Sequence, residues 1–471
     1  MPLPVGRAAV LGGSLAGLLH AWVLAEAGWR VTVVERDRRP GKAEFAGGVP
    51  QARQAHLLMP AGLYAIERLL PGTTELLTGE GAQRFGLATD IRWLTPAGWL
   101  DSFSPRHTIV SFTRPLIDWA LRHQVLLHPG VEARDGVEAV GLAVAGTRIA
   151  GIRCRERGTR DRTESVLPAE VVVDATGRTS RAPHWLTELG LGAPEESVVD
   201  GGVGYCTGLF RRAGADLAGG RAMYLQPRPG RNPRFGILVP VEGDRWMVTV
   251  GGMRGFTPPT DPDGFLSFAR ELSVPEFYEV VRGLEPVAPI HGFRPPPSRR
   301  RHYERLADLP EGLLVVGDAA CTFNPIYGQG MSVAARSALV LRELLPAGAR
   351  PARGPGAAGR TGVALPVDSR RIQRAVSREA GAAWQMASSE DLRYETTVGG
   401  RRNPLLKLQH AYMDRVLSAA LSHRAAQGAF IDALSLTAPP SGLFTPAVLW
   451  QAALHGGSRG RRAESRSRSG R

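Results

Sequence analysis

Between Ala8 and Glu35 the chain is patterned as a single βαβ unit, and no other stretch constrains the fold as tightly. Ala8-Ala9-Val10-Leu11 reads as a buried strand and Gly12-Gly13-Ser14-Leu15-Ala16-Gly17 as a turn. An apolar helix over Leu18 to Ala27 follows, Gly28 caps it, and Val31-Thr32-Val33-Val34 forms a second strand ending at Glu35. Glycines let the backbone turn tightly and approach a bound phosphate, while an acidic residue about twenty positions on suits a ribose hydroxyl. Ser14 stands where the second glycine of the usual fingerprint falls, a place that tolerates a small side chain. A literal Gly-x-Gly-x-x-Gly occurs from Gly354 to Gly359, but it follows no strand and sits among Arg, Pro and Ala. Context ranks the imperfect match above the perfect one.

Far along the chain, Val315-Val316-Gly317-Asp318-Ala319-Ala320 brings a carboxylate to the end of an apolar strand, where it can accept a hydrogen bond from a sugar-like hydroxyl. Phe323-Asn324-Pro325-Ile326-Tyr327-Gly328-Gln329-Gly330-Met331 follows as a loop whose amides can approach a flat ligand, feeding a helix near Met331. A helix N-terminus aimed at a ring system stabilises negative charge there, such as that of a reduced flavin. The two segments together point to FAD, with its ring beside the second. The first turn alone suits NAD as well, but no second nucleotide domain is visible.

A length of 471 residues implies two or three structural units, and 43% hydrophobic content is enough for a sizeable core. No run of 18 apolar residues suggests a membrane-spanning helix, and the first strand starts too early to leave room for a signal peptide. Cys154, Cys206 and Cys321 are far apart and odd in number, so they fit neither a disulfide framework nor a metal site and suit a reducing cytoplasm. The net charge of +14 is concentrated: residues 456–471 carry +5 and residues 346–371 carry +4. With lysine only at positions 42 and 407, this reads as compositional bias and a solvated tail, not as a nucleic-acid surface.

The fold class is α/β: a Rossmann-like FAD-binding domain with an inserted β-meander, an antiparallel-sheet substrate domain and a C-terminal helical region. The FAD-binding part is expected over 1–80, 105–190 and 305–345, and the substrate sheet over 81–104 and 191–304. A low-complexity linker over 346–370, helices over 371–455 and a disordered basic tail over 456–471 complete the chain. The meander rests on strand signals at Val137 to Leu142, Thr147 to Arg155 and Val166 to Asp174. The substrate sheet rests on Tyr205 to Phe210, Arg221 to Gln226, and a hairpin of Phe235 to Val241 and Arg245 to Val250, with Ile91 to Leu94 as a further member.

These residues resemble the FAD-dependent monooxygenases of the aromatic-hydroxylase fold, and more narrowly the flavin epoxidases acting on polyenes in polyether polyketide pathways. The likeness runs from Ala8 to about Leu345. It is carried by Gly12 to Gly17 with Glu35-Arg36, Gly48-Val49-Pro50-Gln51-Ala52-Arg53-Gln54-Ala55-His56-Leu57, Leu69 to Thr74, Arg114, Asp174-Ala175-Thr176-Gly177-Arg178, and Gly317 through Met331. The resemblance implies FAD bound by Gly12, Gly13, Ser14, Ala16, Gly17, Glu35, Arg36, Arg53, Arg114, Asp318, Pro325, Gly328, Gly330 and Met331. It implies epoxidation by way of a flavin hydroperoxide, with O2 and an apolar small molecule as substrates and no catalytic side chain of the protein's own. Electrons would come from NAD(P)H or from a partner flavin reductase. Asp174-Ala175-Thr176-Gly177 departs from the Asp-Gly pattern tied to pyridine-nucleotide handling, which puts direct reduction by NADPH in question.

Tyr205, Tyr224, Phe235 and Trp246 are candidates for an apolar substrate pocket, and sheet core explains these four equally well; Phe323 and Tyr327 are further pocket candidates. His56 reads as a structural histidine and Cys321 as a small buried residue, not a flavin tether. No nucleophile elbow and no metal-ligand spacing occurs, and the Trp-x-Trp-x-Ile-Pro pattern of flavin halogenases is missing. A non-redox cyclase that keeps FAD as a structural element, and a reductase of prenyl or polyene chains, remain as alternatives.

Overall fold

The computed structural model describes residues 4–45, 50–101, 107–158, 163–211, 217, 220–345 and 367–455. Gly48-Val49, the Gly354 to Gly359 match, most of the 346–370 linker and the basic tail lie outside the described residues.

Five parallel strands form the central sheet, in the order Leu313–Val315, Val171–Asp174, Arg7–Leu11, Arg30–Glu35, Val131–Asp135. Their sequences are near-continuous apolar runs because both faces are covered. Ala8, Val10, Val31, Val33, Val171 and Val173 face the helices Leu15–Glu26, Pro60–Leu69, Arg114–Leu126 and Gly330–Leu344. The alternate residues Ala9, Leu11, Val34, Val172, Leu313 and Val315 face a three-stranded meander with Trp185 and Tyr303. Two faces from one strand is the period-2 rule at work. The helix Leu15–Glu26 is packed nearly all round, with nine of its twelve residues buried. Each fully buried Leu or Val there contributes roughly 1.5–3 kcal/mol over an exposed one.

The meander pairs Val137–Ala145 with Arg148–Glu156 and then Ser165–Pro168. The run expected as one strand over Val166 to Asp174 is therefore two. Pro168 has no N–H to donate, and beyond it the chain leaves the meander to enter the parallel sheet at Val171.

A six-stranded sheet stands beside this body, in the order His291–Phe293, Gly204–Arg211, Arg245–Gly252, Arg234–Val241, Ala222–Leu225, Ile91–Leu94. The last strand is parallel to Ala222–Leu225, and the Arg234–Val241/Arg245–Gly252 pair is the expected hairpin. The helix Ser369–Asp391 seals the outer edge of the parallel sheet. Gln373 accepts from Val315 N–H at 2.9 Å and donates to Val315 C=O at 3.0 Å, occupying backbone groups that an edge strand otherwise exposes. Three further helices, Pro404–Ala420, Arg424–Leu434 and Pro446–Leu454, complete the C-terminal region. The last lies inside the region expected to be helical; Pro446 is its first residue, where a missing N–H costs nothing.

Candidate functional site

Three chain crossings line up at the carboxyl ends of the parallel strands. Gly12 N–H donates to Val34 C=O at 2.8 Å, Ala175 N–H to Leu11 C=O at 2.9 Å, and Val316 N–H to Asp174 C=O at 2.9 Å. Glu35, the Gly12–Ser14 turn, Ala175 and Gly317-Asp318 are thus brought side by side, although some three hundred residues separate the first turn from the last. Crevices at this end of a parallel sheet are where such folds take ligands.

Each glycine of the turn has a distinct reason. Gly12 has φ +100° and a Cβ there would lie 2.6 Å from Ala175 O. A Cβ on Gly17 would lie 1.9 Å from Gly12 O, so this glycine lets the helix close onto the strand. The helix starts at Leu15, earlier than its pattern suggests, with Ser14 as its N-cap residue. Ser14 makes no side-chain cap bond; its hydroxyl donates to Asp118 Oδ1 at 3.1 Å and accepts from Arg114. Arg114 in turn holds Asp118 at 2.9 Å. The first-turn amides of the helix are left for an oxyanion, with a guanidinium beside them.

The Glu35 carboxylate is buried at the end of its strand. It accepts from Gly13 N–H at 2.8 Å, Asp37 N–H at 3.0 Å and Arg39 at 2.7 Å. Arg39, not the exposed Arg36, is the cation against Glu35; Arg36 contacts Asp37. An open cleft runs past Gly13, Arg39, Lys42, Asp118, Trp119 and Arg122. Arg39 Nε and Arg122 NH1 are buried without a hydrogen-bond partner among the described residues. A Cβ on Gly13 would sit 3.4 Å from that Arg122 nitrogen. Amides, an acceptor carboxylate and two uncommitted guanidinium donors around a cleft can hold the ribose and diphosphate of an adenine dinucleotide.

On the other side of the helix N-terminus, Gly317 has φ +58° and a Cβ there would lie 3.0 Å from Ala16 Cβ. Asp318 follows in a short turn, Gly317–Ala319, and pairs with Arg178 at 3.2 Å. Arg178 also donates to Phe323 C=O at 3.1 Å, tying the loop to the carboxylate. Asp174, fully buried, accepts from Thr176 N–H at 2.9 Å, from the Thr176 hydroxyl at 2.6 Å and from Ser180, which fixes the turn that carries Arg178. Pro325–Tyr327 is a single helical turn ending in Gly328 at φ +66°, and Leu57 and Met59 pack on Gly328. The helix Gly330–Leu344 begins immediately after, one residue before Met331, and its N-cap Gln329 makes no side-chain cap bond. Two helices therefore present uncapped N-termini to one site.

The aromatic candidates divide. Tyr205 and Phe235 are cross-strand neighbours through Gly251, where a Cβ would lie 2.4 Å from the Phe235 ring and 2.5 Å from Tyr205 Cβ. They pack with Val203 and Met253 against Ile326 of the loop and Tyr394. Tyr224 lies further along, 5.6 Å from the Trp93 ring. Trp246 is on the opposite face, buried with Phe210, Val248 and Phe265, and does not join this group. Phe323 packs with Cys321, Val333 and Trp384. Tyr327 donates to the buried Asp391 at 2.9 Å.

Arg53 is exposed, 5.0 Å above the Phe45 ring and 3.4 Å from His291 Nε2. Burial and the nearby Arg114 guanidinium push His56 down to about 4, so it is neutral at pH 7. Burial raises the Cys321 thiol, keeping it protonated and inert. Sequence reading missed Arg39, Asp118, the Arg178–Asp318 pair and Asp391. Asp118 follows Arg114 by four residues, a helical spacing that offered a signal; Asp391 offered none.

No family model matches the chain. Among curated proteins it is 30% identical to Protein Rv3254 of Mycobacterium tuberculosis over 402 residues, covering 83% of this chain and 81% of that one. It is 24% identical to the 6-methylpretetramide 4-monooxygenase of Streptomyces rimosus over 351 residues, covering 72% and 75%. Among solved structures it is similar to the flavin-dependent brominase Bmp2, with TM-score 0.64, 15% identity, and 95% and 96% of the two chains covered. It is also similar to PqsL of P. aeruginosa in complex with 2-aminobenzoylacetate, with TM-score 0.61, 18% identity, and 82% and 95% covered. These likenesses establish the α/β fold that the chain shares with those two structures.

Proposed function

We propose that this chain, which belongs to the family of Protein Rv3254 of Mycobacterium tuberculosis, is an FAD-dependent monooxygenase acting on a large apolar natural-product intermediate. One observation carries the reading: the Gly12–Ser14 turn with Glu35, and Asp318 with its loop, converge on the N-terminus of one helix at the carboxyl end of the parallel sheet. The likeness to a monooxygenase of Streptomyces rimosus and to flavin-dependent structures supports the same class.

In this reading Gly12, Gly13, Ser14 and the amides of Ala16 and Gly17 receive the diphosphate, with Arg114 alongside. Glu35 accepts from the adenosine ribose, exchanging its contact with Arg39, and Asp318 accepts from the ribityl hydroxyls. The flat ring lies along Pro325 to Met331, where Gly328 and Gly330 keep side chains out of its way. When bound and reduced, FAD supplies an electrophilic oxygen drawn from O2. The protein contributes placement: the Tyr205–Phe235 wall and Ile326 exclude water and hold an alkene, and no nucleophile is required. The finer assignment is epoxidation of a polyene polyketide, with electrons from NAD(P)H or from a partner flavin reductase.

The test is turnover by the purified protein with a reduced-flavin supply in air, using a candidate polyene. The account expects a product heavier by one oxygen that takes its label from 18O2 and is absent under anaerobiosis. A product isomeric with the substrate formed without O2 would point to a cyclase, and one heavier by two hydrogens to a reductase. Either would overturn the assignment.

A further inference from the structure

The loop Asn324–Gln329 is fastened from behind by a residue more than sixty positions away in sequence. Asp391, the last residue of the helix Ser369–Asp391, is completely buried. Its Oδ1 accepts from Asn324 Nδ2 at 2.7 Å and from the Tyr327 hydroxyl at 2.9 Å. Its own backbone carbonyl accepts from Thr397, which fixes the carboxyl's base. Gly201 and Met253 close over it: a Cβ on Gly201 would lie 3.3 Å from Asp391 Oδ1 and 3.1 Å from Met253 Cε. Met253 belongs to the Tyr205–Phe235 cluster, so this carboxyl stands at the junction of the loop and the aromatic wall. Asp391 Oδ2 is buried with no hydrogen-bond partner among the described residues. A buried polar oxygen left bare calls for an explanation.

We propose that Asp391 is a positioning residue: it holds Asn324 and Tyr327 at once, so that the placement of the loop, and the polarity it presents to the flavin, follow the protonation of this one carboxyl. The proposal rests on the reading of that loop as the one beside the ring. As a carboxylate, Asp391 binds both donors with charge-assisted strength; as a neutral acid it binds them about half as strongly. The balance lies near neutrality. Burial pushes Asp391 up to about 7, against the hydrogen bonds from Asn324 and Tyr327 that favour its ionised form. Glu390 on its own helix and Asp200 on the strand Glu196–Asp200 add to the rise. The nearby cations are engaged elsewhere: Arg393 pairs with Glu390 and Asp414, and Arg254 with Asp200. Tyr327 and Tyr394 are pushed up by burial and stay neutral.

The experiment uses the FAD-loaded protein between pH 5.5 and 9, with aspartate carboxyls labelled with 13C and the flavin spectrum recorded in parallel. In wild type, a carboxyl resonance missing from Asp391→Asn should titrate near pH 7, and the flavin absorbance should change with the same midpoint. The flavin titration should vanish in Asp391→Asn. In Tyr327→Phe, which removes a bond to the charged form, both midpoints should move up by about one unit. Should Asp391→Asn fail to fold, that upward shift decides the matter. A flavin spectrum indifferent to pH in wild type, one that titrates unchanged in Asp391→Asn, or midpoints unmoved in Tyr327→Phe overturns the proposal. FAD content, measured first, separates the two ideas: protein that takes up no FAD sinks the flavin reading and this one with it, whereas FAD-loaded protein with a pH-indifferent spectrum sinks only this one.

Discussion

Replacing Gly17 by alanine tests the packing that the whole nucleotide end depends on. The added methyl would start 1.9 Å from Gly12 O and 3.3 Å from Val10 Cγ1, and real Cβ atoms essentially never come within 3.0 Å of such an atom. Gly12 O is backbone and cannot rotate away, so the helix must retreat by roughly 1 Å from the strand. That helix buries Leu15, Leu18, Leu19, Val23 and Leu24, so the retreat loosens several contacts together. Overpacking of this kind costs ~1–3 kcal/mol, and the rigidity of the backbone partner places Gly17→Ala at the upper end. The amides aimed at the diphosphate move with the helix, so FAD affinity should fall as well, by at least about tenfold. Gly13→Ala is the control: its Cβ would meet Glu35 at 3.3 Å, tight but free of backbone, and should cost less than 1 kcal/mol. Urea unfolding of the apo forms measures the stability term and flavin fluorescence titration the affinity. Gly17→Ala within 0.5 kcal/mol of wild type, or no less stable than Gly13→Ala, would refute the reasoning.

Asp318→Ala should lose ~1.5–3 kcal/mol of FAD binding, a ten- to hundredfold drop that leaves the protein pale, with Asp318→Asn retaining part. Arg178→Ala breaks the same ion pair but keeps the carboxylate; if it bleaches the protein equally, the loss belongs to the pair and not to a ribityl contact. Gly251→Ala should destabilise by ~1–3 kcal/mol in urea, since the Phe235 ring and Tyr205 occupy the space above it. For pH dependence, burial holds His20 and His56 down to about 4. The native state resists protonation of both, so their contribution is present above 6.5 and is lost as pH falls toward 4; each costs about 2 kcal/mol by pH 5. Asp391 has the opposite sign: raised to about 7, it stabilises at low pH and loses that contribution as pH rises through 7. Between pH 7.5 and 5 it should offset roughly 2–3 of the ~4 kcal/mol lost at the histidines. Asp391→Asn should therefore show a steeper acid loss than wild type in urea titrations at the two pH values; an equal slope contradicts the assignment.

Much of the fold is legible in the sequence, because its strands are apolar runs bounded by glycine turns. Ala8 to Glu35 announces the first crossover, and the Phe235–Val250 hairpin and the partnership of Ile91 to Leu94 follow from strand patterning. Local pattern fails where a tertiary contact decides. The Ser14 hydroxyl turns to Asp118 and Arg114, which lie a hundred residues away, and the helix gains a turn that its apolar periodicity did not show. The strand through Val166 to Asp174 breaks because its two ends serve different sheets. Nothing in the local pattern announced that Arg39, four residues past Glu35, reaches its carboxylate. Strand alternation places Trp246 and Tyr205 on opposite faces once the register Tyr205↔Gly251 and Phe210↔Trp246 is known, and the sequence does not supply that register. Asp391 lies beyond any local signal, since a helix C-terminus says nothing about which loop it will meet.

The central claim is that the Gly12–Gly17 turn and the Gly317–Met331 segment hold the two ends of one FAD. The direct measurement is the identity and stoichiometry of the flavin released on denaturing protein reconstituted with an equal mixture of FAD and FMN. The account predicts one FAD per chain and essentially no FMN, because only FAD carries the adenosine half that Glu35, Arg114 and the first turn are arranged to receive. Retention of FMN in preference to FAD, or of no flavin at all, would contradict it.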